Sequence, residues 1–383
     1  MVAGQPIGVA DGVARSASAV LLARDDRHLD RPDDNRDMTD PIDLRSDTVT
    51  RPTDAMRAAM HAAAVGDDQY GEDPVTNELQ ERVAALLGKE AGLWVPSGTM
   101  ANQIALRVLT RPGDEVIVSR ECHAGWHETG GSAANAGVQL HEIGSGGWFT
   151  IEQIEAAIKP RGLPVYPPTT LIEIENTHNR GGGIVFPQAE VGRICALARA
   201  RGIATFLDGA RLWNAAVASG RHEAELADPF DLVAVSFSKG LGAPGGSLLA
   251  GRRDLVAAAT RQRRMLGGAM RQTGFFAAAA LFGIAHHRER LADDHDHARR
   301  LAEALARHHH VRVDLTTVQT NIVVFRLHPD GVDAAALVRR ARERGVLLNA
   351  FDERTVRAVT HLDVSRAQID RAADAITSAL TNA

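Results

Sequence analysis

Through the middle of the chain, short apolar runs alternate with longer stretches in which apolar positions recur at a helical period. The runs at 115–119, 138–143, 169–174, 204–207, 232–236 and 247–250 read as strands, and Leu93-Trp94-Val95-Pro96 precedes a helical pattern over 100–109. Further helices are predicted at 53–63, 78–87, 150–157 and 188–201, the last stopped by Gly202. This alternation predicts an α/β fold, a mainly parallel sheet covered on both faces, with active groups at the carboxyl ends of its strands. Beyond Ala285 the pattern changes to a long charged helix over 293–307, short strands at 311–315, 321–327, 346–350 and 356–361, a helix over 332–344 and a closing helix. That order describes a smaller C-terminal α+β domain. The expected division is therefore an N-terminal extension at 1–40, a large domain at 41–285 and a small one at 286–383. The extension is charge-rich without a periodic apolar face and reads as disordered, with Met38 as the expected biological start.

Composition narrows the setting. A formal net charge of -5 over 383 residues gives no electrostatic case for nucleic acid or an anionic membrane surface. No apolar stretch is long enough to span a bilayer. The two cysteines, Cys122 and Cys195, form no disulfide framework and suit a reducing cytoplasm. Cys122 adjoins His123, but neighbours on a strand point to opposite faces, so it reads as a small buried residue. His308-His309-His310 cannot all face one metal ion and reads as a basic turn at a helix C-terminus.

The chemistry is concentrated at four strand ends. Lys239, in Ser236-Phe237-Ser238-Lys239-Gly240-Leu241-Gly242, follows the apolar run 232–235 and sits among small residues where desolvation can free its amine for Schiff-base chemistry. A lysine on a glycine-rich loop is ordinarily a surface residue; three upstream segments argue otherwise. Ser97-Gly98-Thr99 opens a helix and offers backbone N–H groups to a phosphate. Asp208 ends the run 203–207, where an acid can keep a pyridine nitrogen protonated. His123 supplies an imidazole for stacking on a ring. Each feature alone has an ordinary reading as cap, turn or surface group, but together, each closing a separate strand, they describe pyridoxal phosphate.

Five motifs, one of them the lysine segment itself, carry a family resemblance. Asp43-Leu44-Arg45-Ser46-Asp47-Thr48, Gly66-Asp67-Asp68-Gln69-Tyr70-Gly71-Glu72-Asp73-Pro74, Glu175-Asn176-Thr177-His178-Asn179, the lysine segment 238–244 and Gly267-Gly268-Ala269-Met270-Arg271-Gln272 resemble the L-threonine aldolases. These enzymes belong to the aromatic amino acid β-eliminating lyase and threonine aldolase group of fold-type-I pyridoxal phosphate enzymes. The resemblance, running from about Pro41 to near the C-terminus, implies a transferase-like fold with a seven-stranded sheet. It assigns Lys239 to the covalent cofactor link, Asp208 to the ring nitrogen, Ser97, Gly98 and Thr99 to the phosphate, and His123 to the ring face. Arg211 falls by the cofactor and, with Ser46 and Arg357, at the substrate carboxylate. His178 is placed near the β-hydroxyl, and His178, His123 or an ordered water is the candidate base. The resemblance further implies a homo-oligomer built from dimers, a homotetramer, with Tyr70 and Arg271 reaching a neighbouring subunit's site. One departure stands out: four residues after His123, where many relatives carry tyrosine, this chain has His127.

The activity so implied is cleavage of L-threonine or L-allo-threonine to glycine and acetaldehyde, an amino acid reaction that serves threonine catabolism and glycine formation. A β-eliminating lyase, aminotransferase or racemase would share the lysine, acid and phosphate cup, but Asn176-Thr177-His178 and Ser46-Asp47-Thr48 favour the aldolase. A ligand sensor built on such a domain would need a DNA-binding module, and the leading forty residues lack a helix-turn-helix pattern.

Overall fold

The computed structural model describes residues 40–160 and 162–381. Apart from Asp40, the expected disordered extension, including a start at Met38, lies outside the described residues. Strand β1 (Ile42–Asp43) comes first, followed by β2 (Ala91–Val95), β3 (Glu115–Ser119), β4 (Gln139–Ile143), β5 (Thr169–Glu175), β6 (Ala204–Gly209), β7 (Leu232–Ser236) and β8 (Ser247–Gly251). Strands β2 to β8 form one seven-stranded sheet in the order β2-β8-β7-β6-β5-β3-β4. All neighbours run parallel except β8, which is antiparallel to both β2 and β7. The mainly parallel sheet expected from the sequence is therefore present.

Both faces of this sheet are covered, which explains why β3, β7 and β8 read as largely apolar runs, whereas the edge strand β4 is mostly polar. Ile172, Ile174, Leu207, Val233 and Val235 pack in one core with Val191, Ile194 and Ala198 of the helix Gln188–Ala200. On the other face Leu171, Phe206, Leu232 and Ala234 meet Ala101, Ile104 and Ala105 of the helix Gly98–Leu109. The two-residue period of a strand puts Glu173, Glu175 and Asp208 on this second face, level with the start of that helix. The helix Gly274–His286 has no expected counterpart, because its sequence is apolar almost all round and gives no amphipathic signal.

A second core gathers Ile42 and Leu44 with the helices Leu291–Leu305, Ala334–Glu343 and Arg366–Leu380. Its strands are β9 (Val311–Arg312), β10 (Ile322–Leu327), β11 (Val346–Leu347), β12 (Asn349–Ala350) and β13 (Thr355–Val359). Four of them form an antiparallel sheet in the order β12-β13-β10-β9, while β11 pairs in parallel with β1. The single strand expected over 346–350 is thus two, because its halves bond to different partners on either side of the buried Leu348. The strand expected over 311–315 stops at Arg312, since the Asp314 side chain accepts bonds from Thr316 N–H and hydroxyl and turns the chain. Pairing of β1 with β11 carries Ser46 and Asp47 to the place where the second core meets the carboxyl ends of the main sheet.

Candidate active site

Lys239 lies just beyond β7. Its carbonyl accepts hydrogen bonds from the Thr50 hydroxyl at 3.0 Å and the Gly242 N–H at 2.8 Å, which fixes the backbone beneath a half-buried side chain. Burial, reinforced by the Arg211 charge, lowers the amine pKa to about 8. A lysine in that range exposes a usable lone pair near neutral pH.

Asp208 stands on β6 within a connected polar network. Its Oδ1 accepts from Ala210 N–H at 3.1 Å and its Oδ2 from Asn102 Nδ2 at 2.8 Å. Asn102 donates again to Glu128 Oε1 at 2.8 Å, and that same oxygen lies 2.9 Å from His123 Nδ1. Gln103 donates to the other Glu128 oxygen at 2.6 Å. Burial and the neighbouring Glu175 push the Asp208 pKa up, a state that a cationic N–H beside it would relieve. Burial works against a charged His123, but the bond to Glu128 prevails and holds its pKa above the usual imidazole value. Glu173, on the same face, has neither oxygen bonded among the described residues; burial and Asp208 raise its pKa well above the carboxylate range.

Glu175 organises the loops around this network. Its Oε2 accepts the His123 N–H and its Oε1 the Asn179 N–H, each at 2.8 Å. Burial opposes its charge, yet His178 and these N–H groups carry its pKa below the usual value. His178 is 1% exposed, and Gly147 passes so close that a Cβ there would lie 2.8 Å from the His178 Cβ. Gly181 N–H donates to His178 Nδ1 at 2.9 Å, so the neutral ring carries its proton on Nε2. That Nε2 has no hydrogen-bond partner among the described residues and lies 3.6 Å from Glu175 Oε2.

The three residues expected at a carboxylate converge, with different freedom. Arg211 presents Nε and Nη2 to Asp47 at 2.7 Å each, leaving its Nη1 edge for other work. Asn321 adds a bond to Asp47 at 3.2 Å; although burial opposes the charge, Arg211 holds the carboxyl far below the usual range. Arg357, on β13, donates from Nη1 to Asn179 Oδ1 at 2.6 Å and from Nη2 to the Arg45 carbonyl at 2.8 Å. Its Nε is buried and without a partner among the described residues, and burial together with Arg211 lowers its pKa to about 10. The Ser46 oxygen accepts from Thr48 N–H and hydroxyl, and its own proton faces Asp47 Oδ1 only at 3.5 Å.

Ser97 caps the helix Gly98–Leu109 through Met100 N–H at 3.2 Å, and Gly98 and Thr99 occupy the first turn, where N–H groups lack helical partners. The hydroxyl of Ser247, buried and unpartnered among the described residues, lies 3.6 Å from where a Gly98 Cβ would stand. Tyr70 is 79% exposed, and the exposed Arg271 bonds through Nη1 to Gln69 Oε1. Neither is shut within the chain's own core. One expectation needs correction: Cys122 and His123 do not share a strand. Cys122 precedes the short helix His123–Trp126, and it is buried by packing at that helix start, not by strand alternation.

The sequence reading missed Glu128, Glu175 and Asn102 as members of the site. Alternation in Thr169–Glu175 could have flagged two acids on one face; nothing local marks Glu128 or Asn102. The set fits pyridoxal phosphate: a lysine of depressed pKa for its aldehyde, a buried acid for its ring nitrogen, and N–H groups beside an unspent buried hydroxyl for its phosphate.

Residues 43–328 match the family described as Beta-eliminating lyase. The chain is 42% identical over 330 residues to the low specificity L-threonine aldolase of Escherichia coli strain K12, covering 86% of this chain and 96% of that one. It is 40% identical over 334 residues to low-specificity L-threonine aldolase 1 of Arabidopsis thaliana, covering 86% and 93%. Among solved structures, a putative L-allo-threonine aldolase from Listeria monocytogenes superposes with a TM-score of 0.74 at 22% identity, over 89% of this chain and 97% of that chain.

Proposed function

The chain belongs to the beta-eliminating lyase family, and from that premise we propose that it is a pyridoxal phosphate-dependent carbon–carbon lyase cleaving L-threonine or L-allo-threonine to glycine and acetaldehyde. The observation that carries the reading is Lys239, with an amine pKa near 8, just beyond the strand next to that of Asp208, which Asn102 and Glu128 in turn link to His123. What pyridoxal phosphate would supply here, when bound, is an electron sink for the pair left on Cα as the Cα–Cβ bond breaks.

The chain's residues supply the rest. Lys239 would hold the cofactor, Asp208 would keep its ring nitrogen charged, and Ser97, Gly98, Thr99 and Ser247 would bind its phosphate. Arg357, with a free Nε, and Arg211, through Nη1, would grip the substrate carboxylate, assisted by the Ser46 hydroxyl. Fixing that carboxylate orients the breaking bond. His178, with its proton on Nε2, donates to the β-oxygen and does not take its proton while Gly181 holds Nδ1. Proton removal therefore falls to His123 or an ordered water.

We read 41–285 as the cofactor domain and 286–383 as the domain that contributes Arg357, with β1 strapped to the latter. The exposure of Tyr70, Met265 and Phe275 near Arg271 supports a second copy packing here, with Arg271 reaching its partner's phosphate and Tyr70 its substrate. No helix among the described residues is long and apolar enough to cross a membrane. Supplied with cofactor, glycine and acetaldehyde, the protein should form threonine and allo-threonine; recovery of neither would contradict the aldolase reading.

A further inference from the structure

Arg180 follows Asn179 directly, outside every motif that the resemblance rests on. Its guanidinium carbon lies 4.6 Å from the Trp126 ring centre and 4.5 Å from that of Phe351. Its Nε and Nη2 both reach Glu121 Oε1 at 3.0 Å. The side chain is 11% exposed although Trp126 itself is 53% exposed, so this cluster lies at the surface rather than in a core. Trp126 is steered into place by its own bond from Nε1 to Glu142 Oε1 at 3.1 Å. Glu121 adopts a φ of 61°, a left-handed conformation uncommon for a residue with a side chain.

The partners of Arg180 come from separate parts of the site. Glu121 precedes and Trp126 ends the short helix that His123 opens after β3, while Phe351 follows β12 beside Arg357. The Arg357 guanidinium carbon also lies over the Phe351 ring, at 5.1 Å, so one aromatic ring carries both arginines. Two like charges at such range repel unless each is compensated. Glu121 compensates Arg180, and the Phe351 face attracts both. A flat guanidinium fits between two rings in a way an ammonium does not.

We infer that Arg180 is a positioning residue, a latch joining the His123 loop to the Phe351 segment and thereby fixing Arg357 against the substrate carboxylate. This rests on the reading of Arg357 as a carboxylate ligand. Arg180 acts through Phe351 and Asn179, whose Oδ1 receives Arg357 Nη1. The consequence is specific: losing the latch weakens whatever Arg357 binds, irrespective of the group on the β-carbon.

Glycine tests this, because it carries the carboxylate without a β-substituent. Its Kd for the holoenzyme is read from cofactor absorbance, beside KM and kcat for L-threonine, the unfolding midpoint and cofactor content. In Arg180→Gln and Arg180→Lys, the glycine Kd and the threonine KM should rise together by roughly tenfold, with kcat within about threefold. Cofactor content and unfolding midpoint should stay near the parent values. Phe351→Leu should weaken both ligands alike and add little to Arg180→Gln, as coupled residues do; it also serves should Arg180→Gln fold poorly. An unchanged glycine Kd with a raised threonine KM would place Arg180 at the β-substituent and overturn the latch. A lowered unfolding midpoint with unchanged affinities would reduce it to a structural contact and overturn it as well. Arg357→Lys, run in parallel, separates the premises. If it leaves glycine binding intact, the carboxylate reading and the latch fall together; if only the Arg180 variants do so, the latch falls alone.

Discussion

Arg211 and Asp47 meet edge to edge inside the protein, Nε against Oδ2 and Nη2 against Oδ1, both at 2.7 Å, with the two side chains 5% and 0% exposed. A guanidinium that the sequence offers to a substrate is thus already half committed, and the commitment sets its angle. Asp47 does for Arg211 what a rigid support does for any binding group.

Breaking such a pair from one side strands a buried charge. Asp47→Ala should lower unfolding stability by about 3–5 kcal/mol, as measured in urea, and raise the KM for threonine as Arg211 loses its angle. A loss below about 1 kcal/mol would show that water or Asn321 compensates, and that the pair does not hold the site.

The Lys239 amine is depressed from the ordinary lysine value to about 8, so its neutral, reactive fraction grows as pH rises through that value. The rate at which cofactor-free protein captures pyridoxal phosphate should therefore rise between pH 6 and 9 and then level off. Stopped-flow absorbance reads this directly. A rate still climbing tenfold per pH unit beyond 10 would mean that the amine is not depressed.

The neutral His178 ring carries its proton on Nε2 because Gly181 N–H occupies Nδ1, so it is ready to donate to a β-oxygen. His178→Asn, which keeps a donor, should retain more kcat than His178→Phe, which has none; one lost hydrogen bond to a reacting oxygen corresponds to roughly one to two decades in rate. Equal activity in both variants would remove the ring from the β-oxygen.

Asp208→Asn should cut kcat by orders of magnitude at saturating cofactor while leaving Lys239 able to form its reducible link, since the amide keeps the shape but not the charge. Near-parent turnover would remove Asp208 from the ring nitrogen.

The sheet was legible because strands buried on both faces are largely apolar, and several of the intervening helices carry a one-sided pattern, although Arg253–Met265 carries one too and was not among those expected. The helix Gly274–His286 was not, because apolar residues all round erase that pattern. Lys239, Asp208 and the cup at Ser97 could be found since strand ends announce themselves. Glu128 could not, because its place depends on a turn that brings it under Asn102 and against His123, contacts 26 and 5 residues apart. Asp47 lies in a motif, but its partner is 164 residues distant, and no local pattern encodes that pairing.

The central claim is that this site breaks Cα–Cβ rather than expelling a β-substituent. With L-threonine and the holoenzyme, glycine, acetaldehyde, ammonia and 2-oxobutyrate should be quantified in one reaction. The account predicts glycine and acetaldehyde in equal amounts, lost together in Lys239→Ala; ammonia and 2-oxobutyrate in their place would contradict it.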